Sequence, residues 1–169
     1  ISTRGRHTGD LHHHRAHPFY VRSPKIPRIN TYAFKEEAIL TPGDGDIVKV
    51  FHYVKGKFDV HQRVYCIRKF KKEISARFLY YYLSAKLHDE AKRNNSNATV
   101  DSLRLPFFQN FLLPFPDIKE QLEIVSYLDC KTKTIDLIIT NVKSQLDELA
   151  KLKTSLINDA VTGKVKINA

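Results

Sequence analysis

Arginine, asparagine, glutamine and lysine can present two hydrogen bonds to the edge of a base, and Arg28, Asn30, Gln62, Arg63, Asn94, Asn95 and Asn97 place such side chains among turn formers. A second set, Lys49, Lys55, Lys57, Arg68, Lys69, Lys71, Lys72, Arg77 and Arg93, supplies cations suited to phosphate oxygens. Such contacts position a protein on a duplex without reading its sequence. Between them stands Gly43-Asp44-Gly45, a tight-turn sequence whose glycines let backbone approach a ligand closely. No Gly-Lys-Ser/Thr follows to open a helix, so it is not a phosphate-cradling nucleotide loop. Taken singly, each of these residues is more often a turn or solvated surface residue. The distribution of charge favours contact.

Catalytic patterns are weaker. His12, His13, His14 and His17 lack the paired cysteine or carboxylate partners of a metal site and read as a tag-like tract. Pro116-Asp117 followed by Asp129-Cys130-Lys131 superficially resembles a nuclease pattern. That chemistry needs the second carboxylate and the lysine on a strand beside the first, whereas here both fall in an uninterrupted helical stretch. Cys66 and Cys130 have no CxxC or catalytic context, and reduced thiols are expected. No catalytic constellation and no metal site emerge, and no cofactor is expected.

The 169 residues carry 28 Lys+Arg against 18 Asp+Glu, a net charge of +10 that favours a polyanionic partner. The 42% hydrophobic content excludes a disordered basic tail. Residues 1–117 hold 20 Lys+Arg and 11 Asp+Glu, all seven Pro and 17 of the 18 aromatics, whereas 118–169 hold 8 and 7 charges of each sign. The first part therefore reads as a turn-rich domain carrying the electrostatics. The absence of both an apolar signal core and a run of about 18 apolar residues makes a cytoplasmic protein the expectation. A chain without Met that begins at Ile1 reads as a piece of a longer frame.

The elements that must position these groups follow from periodicity. Residues 1–22 show neither helical nor strand period and read as loop. Short β-type runs follow at 19–21, 38–40 and 47–54, with reversals expected at 42–46 and at Lys55-Gly56-Lys57, and another strand over 60–67. Ser75 caps a helix with Phe78, Leu79, Tyr82 and Leu83 on one face. Residues 94–99 read as loop, 100–105 as a short element, and 107–115 as a last strand stopped by Pro114 and Pro116.

From Lys119 to Asp159 there is neither Pro nor Gly, enough for a helix of roughly 60 Å. Leu128, Ile135, Val142, Leu149 and Leu156 recur at intervals of seven, with Ile124, Ile138, Ile139, Leu146 and Leu152 three or four residues away. This is a coiled-coil seam, and one small domain cannot cover it. Gly163 is the expected stop.

Two runs carry a resemblance. Leu113-Pro114-Phe115-Pro116-Asp117 with the following Ile118-Lys119-Glu120-Gln121 and Leu122 to Asp129, and Leu149 to Val165 ending in Val161-Thr162-Gly163-Lys164, are similar to the strand exit and helix of the specificity subunit of type I restriction-modification enzymes. A third, weaker run, Ile39 to Val50 with His61 to Tyr65, resembles the turn and strands of its target recognition domain. Residues 1–18 match least.

The resemblance implies an α+β fold: a DNA target recognition domain over 1–117, a long dimerisation and spacer helix over 118–160, and a tail over 161–169. It implies a non-enzymatic, DNA-binding specificity subunit that recognises half of a bipartite target. The expected contacts with double-stranded DNA come from Arg28, Asn30, Gly43, Asp44, Gly45, Lys49, Lys55, Lys57, Gln62, Arg63, Lys69, Lys71, Arg93, Asn94, Asn95 and Asn97. Helix pairing, with a second copy or a missing N-terminal half, is expected through Leu128, Ile135, Val142, Leu149 and Leu156. Methyltransferase and restriction subunits are the implied protein partners, S-adenosylmethionine being bound by the methyltransferase subunit. The competing expectation is a basic coiled-coil protein binding RNA or an anionic surface.

Overall fold

The computed structural model describes residues 1, 16–44, 50–94 and 103–165. Its elements are β1 (His17–Tyr20), β2 (Arg28–Ile29), β3 (Phe34–Pro42), β4 (His52–Val60), β5 (Val64–Arg68), α1 (Ala76–Asn94), α2 (Leu105–Gln109) and α3 (Ile118–Val161). The strands form one mixed sheet in the order β2-β1-β4-β3-β5, with β1 parallel to β4 and the other pairs antiparallel. The fold is α+β with one long C-terminal helix. The chain divides into two units, 1–125 and 126–169, and α3 contributes to both.

β3 organises the sheet. Phe34 pairs with Phe58 and Pro42 with Val64. The connection from Phe58 to Val64 reaches at most about 20 Å even when extended, and it is shortened by a turn in which Val64 N–H donates to His61 O at 2.9 Å. A straight β3 would span about 27 Å over the same interval. The strand therefore curls, and Phe34, Ala38, Leu40, Val54, Phe58, Val60, Val64 and Cys66 pack on one face of the curl. The alternate positions face the other way, where Ile39 packs with Leu79, Leu83 and Leu87 of α1, joined by Tyr53, Tyr65 and Ile67. α1 starts where expected, with Phe78 N–H donating to Ser75 Oγ at 3.3 Å.

Four local expectations are corrected. Lys55-Gly56-Lys57 is not a reversal: β4 runs through it, pairing with Glu37, Glu36 and Lys35. Gly56 sits at φ 116°, a conformation closed to ordinary L residues, and so kinks the strand without ending it. β3 begins four residues before the apolar run because its carboxylates are matched: Glu36 pairs with Arg68 at 2.8 Å and Glu37 accepts the Tyr53 hydroxyl. Phe107 to Phe115 is not a strand. Pro106 stands in the first turn of the short α2, the Phe107 and Phe111 ring centres lie 5.5 Å apart in a tilted contact, and Phe108 meets Tyr65 at 5.1 Å. β1 contains part of the run expected at 19–21 but starts two residues earlier, inside the segment read as loop, and residues 45–49, which end the reversal expected at 42–46 and open the strand expected at 47–54, lie outside the described residues.

α3 is closed chemically at both ends. Asp117 Oδ1 accepts from Glu120 N–H at 2.9 Å at its start. At its end, Lys164 N–H donates to Asp159 O at 2.9 Å and Gly163 N–H to Ala160 O at 3.2 Å, the paired bonds of a Schellman stop. Gln121, fully buried in the first turn, accepts from Ser75 N–H and donates to Glu73 O and Pro116 O, each at 2.9 Å.

His52 gives the sheet a pH dependence. Its Nε2 is buried without a hydrogen-bond partner among the described residues, its ring lies 5.1 Å from that of Tyr20, and burial holds its pKa below the usual 6.5. The unfolded chain therefore takes up this proton first as pH falls. The contribution is complete above about pH 6.5 and declines as pH drops from there through the folded value. Melting curves at pH 7.5 and 5.5 should show a larger acid-induced drop for the native chain than for His52→Gln; equal drops would assign the effect elsewhere.

Candidate nucleic-acid interface

Curling of β3 brings together residues far apart in sequence. Gly43 N–H donates to Arg63 O at 2.9 Å, and Gly43 O accepts from Leu103 N–H at 2.8 Å. A Cβ at Gly43 would lie 3.1 Å from the Tyr65 ring and 3.4 Å from Arg63 O, so a larger residue would wedge this contact apart. Asp44 is thereby set between two guanidinium groups: Arg22 donates to Oδ1, and Arg63 Nη1 stands 3.5 Å from Oδ2. Arg63 N–H also donates to His61 Nδ1 at 3.3 Å, and the neighbouring Gln62 is exposed. An arginine has five N–H donors, so a carboxylate that orients it leaves donors for a base edge or phosphate. Exposed ion pairs of this kind contribute little stability.

The other expected contacts fall elsewhere. Lys55 and Lys57 are exposed on β4, opposite Glu37 and Lys35, and Lys57 Nζ lies 4.6 Å from the centre of the Tyr32 ring. Lys69, Lys71 and Lys72 are exposed in the connection from β5 to α1, Lys69 at φ 57°. Arg28 on β2 donates to Ala16 O at 2.5 Å, and Asn30 is exposed just after that strand. Arg93 pairs with Glu90 at 2.6 Å along α1. Asn94 ends α1, while Gly45, Lys49, Asn95 and Asn97 lie outside the described residues.

Arg22, Tyr32 and Lys35 were not singled out from the sequence. Arg22 stands beside a proline-rich turn that offered a hint, but the opposition of Lys35 to Lys57 exists only through the β3–β4 register.

Several chemical alternatives lose their residues to structure. Burial in the sheet pushes the Cys66 thiol up to about 11, so it stays protonated and a poor nucleophile at neutral pH. Asp117 caps α3, whereas Asp129 and Lys131 lie within that helix. Among the described residues no group of three His, Cys, Asp or Glu could hold a metal ion, and His12, His13 and His14 lie outside them. The tyrosines of α1 are engaged: Tyr80 stacks on Phe51 at 5.3 Å, and the Arg77 guanidinium lies 4.7 Å from the Tyr53 ring and 5.1 Å from that of Tyr81. No helix among the described residues is long and apolar enough to cross a membrane.

On α3, Leu128 is half-buried, and Ile135, Val142, Leu149 and Leu156 are 53, 47, 60 and 61% exposed. Hydroxyls on the helix are satisfied internally, as where Thr140 Oγ1 donates to Asp136 O at 2.8 Å.

Comparison with known proteins places this architecture. Among solved structures, one reported under complex assembly and conformational transition of the type I R-M system superposes with a TM-score of 0.70 at 17% identity, over 95% of this chain and 42% of that one. The HsdS subunit from Thermoanaerobacter tengcongensis gives 0.60 at 15% identity, over 96% of this chain and 42% of that one. The S subunit of a type I restriction-modification system from M. genitalium gives 0.61 at 14%, over 94% of this chain and 42% of that one. In sequence, the chain is 25% identical over 153 residues to the type I restriction enzyme EcoDI specificity subunit of Escherichia coli, a match covering 88% of this chain. It spans 32% of that relative's length. The model of the type I restriction modification DNA specificity domain matches residues 18–148. With most of its length under that model, the chain belongs to the type I restriction modification DNA specificity domain family.

Proposed function

We propose that this chain is a sequence-recognition unit of a type I restriction-modification specificity subunit. In this reading the sheet unit reads one half of a bipartite duplex target, and the stripe on α3 pairs with an equivalent helix. Methyltransferase subunits dock on the assembly and bring S-adenosylmethionine, a restriction subunit carries out cleavage, and the chain itself supplies recognition without catalysis. A protein of this kind works in the cytoplasm.

The observation that carries the reading is the convergence of Arg22, Gly43, Asp44, Gln62 and Arg63. Donor-rich side chains stand on exposed turns fixed by backbone hydrogen bonds, an arrangement suited to base edges, in a chain of net charge +10. Competition between duplex DNA and single-stranded RNA, run at two salt concentrations, tests it. Duplex preference with a steep salt slope is expected. Preference for RNA, or for anionic vesicles in a parallel arm, would overturn it in favour of a basic coiled-coil interaction protein.

A further inference from the structure

Lys35 and Lys57 stand directly opposite each other across the antiparallel β3–β4 pair, and both are exposed. Opposed residues in such a pair share a face of the sheet with Cβ atoms about 5 Å apart, and like charges so placed destabilise the pairing. Lys55, two residues along the strand, projects from that same face. The next opposed pair on this face shows what a stabilising choice looks like, because Lys55 stands opposite Glu37 there. At Lys35 and Lys57 the cations are instead concentrated, with Lys57 Nζ held 4.6 Å from the Tyr32 ring centre.

We propose that Lys35 and Lys57, with Tyr32 supporting Lys57, form a contact surface for the phosphodiester backbone of duplex DNA. This assignment rests on the DNA-recognition reading above and adds to it a second surface, at the end of β3 opposite Gly43 and Asp44. Charge complementarity selects the occupant. Duplex DNA carries one negative charge for about every 1.7 Å of its axis and so meets both ammonium groups with successive phosphates. The Tyr32 ring is engaged by Lys57 and, edge-on at 5.0 Å, by His17, which disfavours a stacking platform for single-stranded bases. The sheet face thus contributes affinity and orientation, while the loop cluster contributes sequence discrimination.

The test uses the full chain carrying Lys35→Gln, Lys57→Gln, both together, or both as Arg. Duplex binding is followed by fluorescence anisotropy across a salt series, alongside thermal melting. For the double Gln variant, affinity should fall by roughly tenfold, equally for different duplex sequences, and the slope of log K against log salt should become shallower by about 1.8. Its melting temperature should stay unchanged or rise as repulsion is relieved, and the double Arg variant should bind like the native chain. Wild-type affinity and slope in the double Gln variant would overturn this assignment alone. So would a lowered melting temperature accompanying the loss, or a loss confined to single-stranded RNA. Failure of the unaltered chain to bind any duplex would instead overturn the recognition reading on which the assignment stands.

Discussion

Gln121→Leu is expected to lower the free energy of unfolding by about 2–4 kcal/mol, because a side chain of similar size would leave three backbone groups without their partners. Those groups are Ser75 N–H, Glu73 C=O and Pro116 C=O, each now bonded to the Gln121 amide at 2.9 Å. The amide suits the site because it accepts once and donates twice within a pocket that leaves it 0% exposed. It ties the first turn of α3 to the residue that caps α1. Gln121→Glu separates hydrogen bonding from packing, since a carboxylate would face two carbonyl oxygens and should recover part of its stability in acid on becoming a donor. Denaturant unfolding of both variants checks this. A change below about 0.5 kcal/mol for the Leu variant, typical of surface positions, would show that the amide's bonds are dispensable.

Replacing any two of Leu128, Ile135, Val142 and Leu149 by Asp is expected to give monomers in sedimentation and to abolish recognition of a two-part site. A helix of 44 residues gains most of its stability by packing an apolar face, yet Ile135, Val142 and Leu149 are about half exposed in the single chain. Burial of each such side chain contributes about 1.5–3 kcal/mol. Two replacements per helix, four in a pair, should therefore cost on the order of 6 kcal/mol or more before the desolvation of the carboxylates is added. Helicity of α3 should fall as the pair dissociates. An assembly that survives the change would place the seam on another stripe. On the proposed pairing, a heptad of about 10.5 Å corresponds to roughly three base pairs, so removing one heptad is expected to shorten the preferred spacing between half-sites.

What could be read in advance depended on whether the physical cause was local. α3 was legible because its signals lie along one stretch: no Pro or Gly from Lys119 to Asp159, apolar residues at intervals of seven, and Gly163 beyond the end. Ser75 was legible for the same reason, as a cap beside the helix it starts. Lys55-Gly56-Lys57 misled because the same triplet that suits a turn also fits a kinked strand, and pairing with Glu37, Glu36 and Lys35 decides between them. Phe107 and Phe108 misled because aromatic runs favour strands, until Pro106 and contacts with Tyr65 and Phe111 favour a helical turn.

The candidate interface was legible in part. Gly43, Asp44, Gln62 and Arg63 were named from type and turn context, but their convergence depends on the curl of β3. Arg22 joins them only through Asp44, and Lys35 acquires meaning only opposite Lys57. Such tertiary pairs leave no period in the sequence.

Selection of bound duplexes from a randomised pool by the full chain, with sequencing of the enriched fraction, is the most direct measurement. One short shared motif should emerge, repeated at a fixed separation where helices pair, and Arg63→Ala should weaken its enrichment while leaving nonspecific binding largely intact. Efficient binding with no enriched motif would contradict sequence recognition and leave only a general affinity for polyanions.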